Sequence, residues 1–135
     1  MMKTDVFKNE KIEMLNRFVQ NTDVHIFLTG KAGTGKTTFL RNLAVKSYKR
    51  MGIVAPTGVA AINAGGSTIH SFFQLPLCPY LPDVKELITE YQMPDKYRSL
   101  KKERQKIIRT LDLLIIDEIS MVRADLLDAV DATLR

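Results

Sequence analysis

Apolar residues recur along this chain with two different periods. Ile12, Leu15, Phe18 and Val19 fall at helical spacing and predict an amphipathic helix over residues 8–20. Asn21-Thr22-Asp23 ends it, and the β-rich run VHIFL, Val24–Leu28, predicts a strand. A glycine-rich turn, GKAGTGKT, and a helical stretch, TTFLRNLAVKSYK, come next. A second short apolar run, Gly52–Ala55, stops at Pro56, because the residue before a proline is pushed out of the helical region. Thr57 can cap a small helix, GVAAIN, that Ala64-Gly65-Gly66 closes, and Ser67 or Thr68 can cap another turn.

Pro76, Pro79 and Pro82 then punctuate a segment without helical period. Asp83 opens a predicted helix, DVKELITEY, broken by Met93-Pro94-Asp95. Ser99 can cap a basic helix, LKKERQKIIRTL, with Leu100, Ile107 and Leu111 along one side. LDLLIID, Leu111–Asp117, reads as one apolar run interrupted only by Asp112 and ending at Asp117, the pattern of a strand buried on both faces. After a turn at Glu118–Ser120, Leu126, Leu127, Val130 and Leu134 mark a last amphipathic helix. Strands alternating with helices predict an α/β fold, a parallel sheet with helices on both faces, in one domain over residues 1–135.

Composition narrows the setting. No stretch approaches the roughly 20 apolar residues of a membrane span, and the charged start, MMKTDVFKNEKIEM, lacks the apolar block of a signal peptide. Cys78 has no second cysteine to pair with, so a reducing, cytoplasmic location and no membrane are expected. The net charge of +5 is unevenly spread. Basic residues crowd Lys96–Arg109 against the lone Glu103, whereas acids dominate from Asp112 onward. The basic run reads as a solvated helix face, with a polyanion partner permitted.

The chemistry starts at Gly30-Lys-Ala-Gly-Thr-Gly35-Lys36-Thr37, a full match to G-x-x-x-x-G-K-[ST] between a predicted strand and a predicted helix. Glycines let the loop wrap so that backbone N–H groups of Gly30, Ala32, Gly33, Thr34, Gly35, Lys36, Thr37 and Thr38 can face phosphate oxygens. Lys36 would reach the β- and γ-phosphates, and the Thr37 hydroxyl would ligate Mg²⁺. Lys31, at a variable position of the motif, should face solvent. The apolar strand Leu113–Ile116 delivers Asp117 and Glu118 to the carboxyl end of the sheet, where α/β folds bind ligands. Asp117 would hold the metal and Glu118 would orient and deprotonate the attacking water. Together these residues read as a P-loop NTPase using ATP and Mg²⁺.

That reading leaves PTGVAAINAGGSTIHSFF, Pro56–Phe73, without a task. GKAGTGKT, then this segment, then LLIIDEISMV resemble the first motor domain of PIF-type helicases, superfamily 1 enzymes related to RecD. The resemblance covers residues 24–135 and implies a RecA-like ATPase domain, the N-terminal one of two. It also implies ATP-driven 5′-to-3′ movement on single-stranded DNA, and a place in DNA repair, recombination and telomere maintenance. Carried over, Thr57 and Gly58 approach the sugar–phosphate backbone, and Thr68, His70, Ser71 and Phe72 form a second contact. An aromatic ring beside a histidine can also stack on a base. Gly58, Gly65 and Gly66 would allow close backbone approach, while Phe73 is expected in the core.

The sequence departs from the family pattern in two places. A glutamine upstream of the P-loop that reads adenine has no clear counterpart: the first is Gln20, close to the first strand, with Asn9 further upstream. The later motifs, including the arginines of the second motor domain, are not found before Arg135. An isolated chain of this kind is therefore expected to bind nucleotide weakly and hydrolyse it little. A non-catalytic nucleotide-binding or single-strand-binding module fits the same residues.

Overall fold

The structure, a computed structural model, describes residues 10–31, 33–80 and 102–135. The helix expected over 83–91, its break at Met93–Asp95 and the cap at Ser99 lie outside them. The chain forms two compact units, Met1–Lys49 and Arg50–Arg135.

In the first unit, α1 (Glu10–Asn21) and α2 (Lys36–Lys46) bury Val19, and Phe39 with Leu43, respectively. The last carbonyls of α1 are met locally: Asn21 Nδ2 donates to Arg17 O at 2.9 Å and Thr22 Oγ1 to Phe18 O at 2.6 Å. Residues just after α2 return to the same helix end. Ser47 Oγ donates to Gln20 Oε1 at 3.2 Å, and the Tyr48 hydroxyl donates to Gln20 O at 2.8 Å. Gln20 is thus held by packing within the unit, and Asn9 falls outside the described residues.

The strand expected at Val24–Leu28 is not formed. Residues 22–31 carry no regular secondary structure, and Phe27 is 75% exposed. A strand exists only through a neighbour that takes up its N–H and C=O groups. Among the described residues of this unit there is no second strand, so the β-rich run stays unpaired.

The second unit holds β1 (Met51–Ala55), α3 (Gly58–Ala64), β2 (Ser67–Thr68), α4 (Ile69–Phe73), α5 (Lys102–Arg109), β3 (Leu113–Ile116), a 3₁₀ turn (Ile119–Met121) and α6 (Ala124–Leu134). Its sheet has the order β2-β1-β3 and is parallel throughout, as expected. Val54 faces Ser67 on one side and Ile116 on the other, which fixes the register across the sheet. Val54, Ile69, Phe72, Phe73 and Val130 form the core, with Ile108, Leu111, Leu114, Ile116 and Leu126 packed against it. Phe73, at 1% exposure, is core as expected.

β3 differs from its apolar pattern. All four of its residues are half-buried, because β3 stands at an edge of the described sheet and pairs with β1 alone. Gly66 explains how β2 reaches β1 so soon after a helix. A Cβ there would sit 2.1 Å from the Ile53 carbonyl oxygen, so only glycine permits the approach.

Candidate nucleotide and nucleic-acid site

In the first unit, Gly33 and Gly35 take left-handed φ values of 77° and 90°, which turn the loop into α2. Gly35 is the N-cap of α2 and offers no side-chain cap, so the positive dipole end of this eleven-residue helix has no side-chain acceptor at its cap. The loop also holds itself together. Lys36 Nζ donates to Gly30 O at 2.6 Å and to Lys31 O at 2.9 Å, and Thr34 Oγ1 donates to Lys31 O at 2.8 Å. Gly30 is packed too: a Cβ would meet Thr34 Oγ1 at 2.8 Å. Lys31 is exposed, as expected, and contributes its carbonyl rather than its ammonium. Thr37 and Thr38 are exposed on the first turn of α2, and Ala32 lies outside the described residues.

In the second unit, Pro56–Phe73 is a pair of capped turns with a buried apolar side. Thr57 caps α3, its Oγ1 accepting from Ala60 N at 3.2 Å, and Thr68 caps α4, accepting from Ser71 N at 3.2 Å. Ala61, Ala64, Ile69, Phe72 and Phe73 are buried. Gly58 and Ser71 are exposed, and Thr57, Thr68 and His70 are half-buried. A Cβ on Gly58 would meet nothing within 4 Å, so its surface is open.

Two expectations for this segment need correction. Phe72 does not present a free ring face: it is 8% exposed, lies edge-on to Phe73 with centroids 5.0 Å apart, and carries the Arg104 guanidinium 5.4 Å from its own centroid. Gly65 and Gly66 serve the fold. Gly65 closes α3 at φ 72°, and Gly66 admits the Ile53 carbonyl. Arg104 is the residue that sequence reading missed, since only the folded chain places α5 over the Phe72 ring.

Also in the second unit, Asp117 follows β3 and continues its ladder, its N–H donating to Val54 O at 2.9 Å. Asp117 Oδ1 accepts from Glu118 N at 2.9 Å. Glu118 is exposed and sits at φ 53°, a left-handed conformation unusual for a residue other than glycine. Hydroxyl and carboxylate donors such as Thr37 and Asp117 are hard oxygens of the kind Mg²⁺ takes. Among the described residues no group of three or more His, Cys, Asp or Glu is placed to hold a metal by itself.

A loop of the G-x-x-x-x-G-K-[ST] pattern opening a helix, and a parallel sheet with a strand that runs into a carboxylate, define a P-loop NTPase of α/β fold. A sequence profile of the PIF1-like helicase family matches residues 5–135, and the chain belongs to that family. It is 36% identical over 115 residues to the ATP-dependent DNA helicase Pif1 of Campylobacter jejuni, covering 82% of this chain and 25% of that protein. With the ATP-dependent DNA helicase PIF1 of Saccharomyces cerevisiae it shares 32% identity over 137 residues, covering 96% of this chain and 15% of that protein.

Solved structures agree. Bacteroides sp. Pif1 in complex with ADP-AlF4 matches with a TM-score of 0.82 and 41% identity, over 97% of this chain and 28% of that one. Bacteroides Pif1 bound to ssDNA matches with a TM-score of 0.78 and 40% identity, over 100% of this chain and 28% of that one. The 135 residues therefore span about a quarter or less of the curated relatives' length. No helix among the described residues is long and apolar enough to cross a membrane.

Proposed function

We propose that this chain is the first motor domain of an ATP-dependent DNA helicase that moves 5′ to 3′ on single-stranded DNA. Loop 30–37 takes the phosphates of Mg-ATP, with Lys36 on the β- and γ-phosphates and the Thr37 hydroxyl on the ion. Asp117 holds the ion, and Glu118 orients the attacking water and accepts its proton. Thr57, Gly58, Thr68, His70 and Ser71 contact the strand. Phe72 acts from beneath, as the buried anchor that fixes the helix carrying His70 and Ser71. Movement along the strand belongs to the complete enzyme, in which this domain works against a second one.

The observation that carries this reading is the uncapped start of α2 behind two left-handed glycines, in a chain of the PIF1-like helicase family. A similar protein has been solved with ADP-AlF4 and another bound to ssDNA, which supports both ligands for this one. The test is ATP turnover with and without a single-stranded oligonucleotide, beside a Lys36→Ala control. Turnover that DNA raises and the substitution abolishes supports the reading. Mg-ATP binding without any strand affinity at low salt would instead make the chain a nucleotide-binding module.

A further inference from the structure

We propose that the outward face of α5 is a phosphate-binding surface for single-stranded DNA, next to the strand contact on α4. The proposal rests on the reading of residues 57–73 as strand-contacting. Helix α5, KERQKIIR, carries Lys102, Arg104, Lys106 and Arg109 against the single acid Glu103. The fold sorts these cations by face. Ile108 packs against the core cluster, and Arg104, one turn earlier on the same face, lies over Phe72. Lys102, Lys106 and Arg109 are exposed, and among the described residues none of them has a carboxylate partner.

A helix face built only for solvation gains from acids placed three or four residues from its bases. Here Lys102 and Lys106 stand at i, i+4 as like charges, a pairing that destabilises a helix by itself. Three outward cations against the single acid Glu103, three residues before Lys106, suit a polyanion, whose bound counterions are released as phosphates are neutralised. Arg104 ties this array to the strand contact. Its guanidinium packs on the Phe72 ring, and Phe72 belongs to the same short helix as His70 and Ser71. Arg104 thus sets α5 beside α4, with Lys102, Lys106 and Arg109 on the opposite, outward side of α5. Point charges on flexible stems hold phosphates without reading bases, so the contact is indifferent to sequence.

The test is the salt dependence of binding of a fluorescent oligo-dT to the chain. Three proteins are compared with wild type: Lys102→Gln/Lys106→Gln/Arg109→Gln, an equal loss of charge at Arg17, Arg41 and Lys46, and Thr57→Val. Each phosphate contact on a single strand contributes about 0.7 to the slope of log affinity against log salt. The α5 triple variant is expected to flatten that slope by about 2 and to weaken binding on the order of 100-fold at about 0.1 M salt. The control triple keeps the wild-type slope. An α5 variant with unchanged slope, beside a Thr57→Val variant that binds weakly, overturns the proposal and leaves the strand contact standing. Equal flattening by both triples overturns it in favour of the general field of the protein. A wild-type chain without strand affinity at low salt overturns both readings. Should the triple variant melt, Lys106→Gln alone decides, with an expected flattening of about 0.7.

Discussion

Arg50 and Asp112 clasp the starts of two neighbouring strands. The guanidinium donates through Nε to Asp112 Oδ2 and through Nη2 to Oδ1, each at 2.9 Å, and Arg50 N donates to Oδ2 at 2.9 Å. Asp112 N returns a bond to Arg50 O at 2.8 Å. The carboxylate in turn holds the Arg50 pKa above its ordinary value, through this hydrogen bonding and then through its charge. The side chains are exposed, so their role is to fix register at the mouth of β1 and β3 rather than to hold up the core. Arg50→Lys, which cannot reproduce the fork, is expected to lower the melting temperature by a few degrees, and Asp112→Ala by more. Thermal unfolding followed by far-UV circular dichroism checks the order.

Lys36→Ala removes the ammonium proposed for the phosphates and both of its bonds within the loop. Charged hydrogen bonds are worth about 1.5–3 kcal/mol, so Mg-ATP affinity should fall roughly 10- to 150-fold. Isothermal titration with a non-hydrolysable nucleotide measures this. The melting temperature without nucleotide should move little, because the loop is largely exposed.

Gly66→Ala and Gly58→Ala should separate folding from strand binding. The first drives a methyl into the Ile53 carbonyl and should cost about 1–3 kcal/mol or more as the β1–β2 contact opens. The second meets no atom within 4 Å and lies in a helix, so stability should hold or rise by up to about 1 kcal/mol. Strand affinity, read by fluorescence anisotropy, should nevertheless fall for Gly58→Ala, because the added methyl keeps the backbone of α3 away from a phosphate.

Glu118 holds its left-handed conformation against preference. Glu118→Gly should relieve about 1 kcal/mol of that strain and raise the denaturation midpoint. The same change should abolish hydrolysis in the complete enzyme while leaving nucleotide affinity near wild type. Glu118→Gln should lose hydrolysis without the gain in stability, which separates the carboxylate's chemistry from its backbone.

Asp125 links the segment before residue 81 to α6. Burial pushes its pKa up, but the Tyr80 N–H bond at 3.2 Å and the Arg123 guanidinium at 2.9 Å outweigh burial and leave the pKa below its ordinary value. A carboxyl with a depressed folded pKa stabilises the protein above its unfolded value of about 4, and that stability is lost as pH falls through the folded value. The acid side of the stability profile should therefore flatten in Asp125→Asn. Melting temperatures from neutral pH to below about 4 would show it.

Features governed by neighbouring residues were legible in the sequence. The loop glycines, the caps at Thr57 and Thr68, and the stop at Pro56 depend on chemistry within a few positions, and each falls where the pattern puts it. Features that need a distant partner were not. VHIFL has the composition of a strand, yet composition supplies no neighbour to pair with. Phe72 resembles a stacking platform in isolation, but Arg104, far along the chain, packs on its ring. Gly66 reads as freedom to approach a ligand, whereas Ile53 uses that freedom.

The caps at Thr57 and Thr68 set the polarity of the surface they border. Each hydroxyl oxygen accepts an inward N–H bond from its own helix, and its proton remains to be given outward. A phosphate oxygen is a ready acceptor for such a proton, and every nucleotide carries the same phosphate. In the proposed role of strand contacts, two outward donors that meet only phosphates would hold any stretch of strand alike, whatever its bases spell.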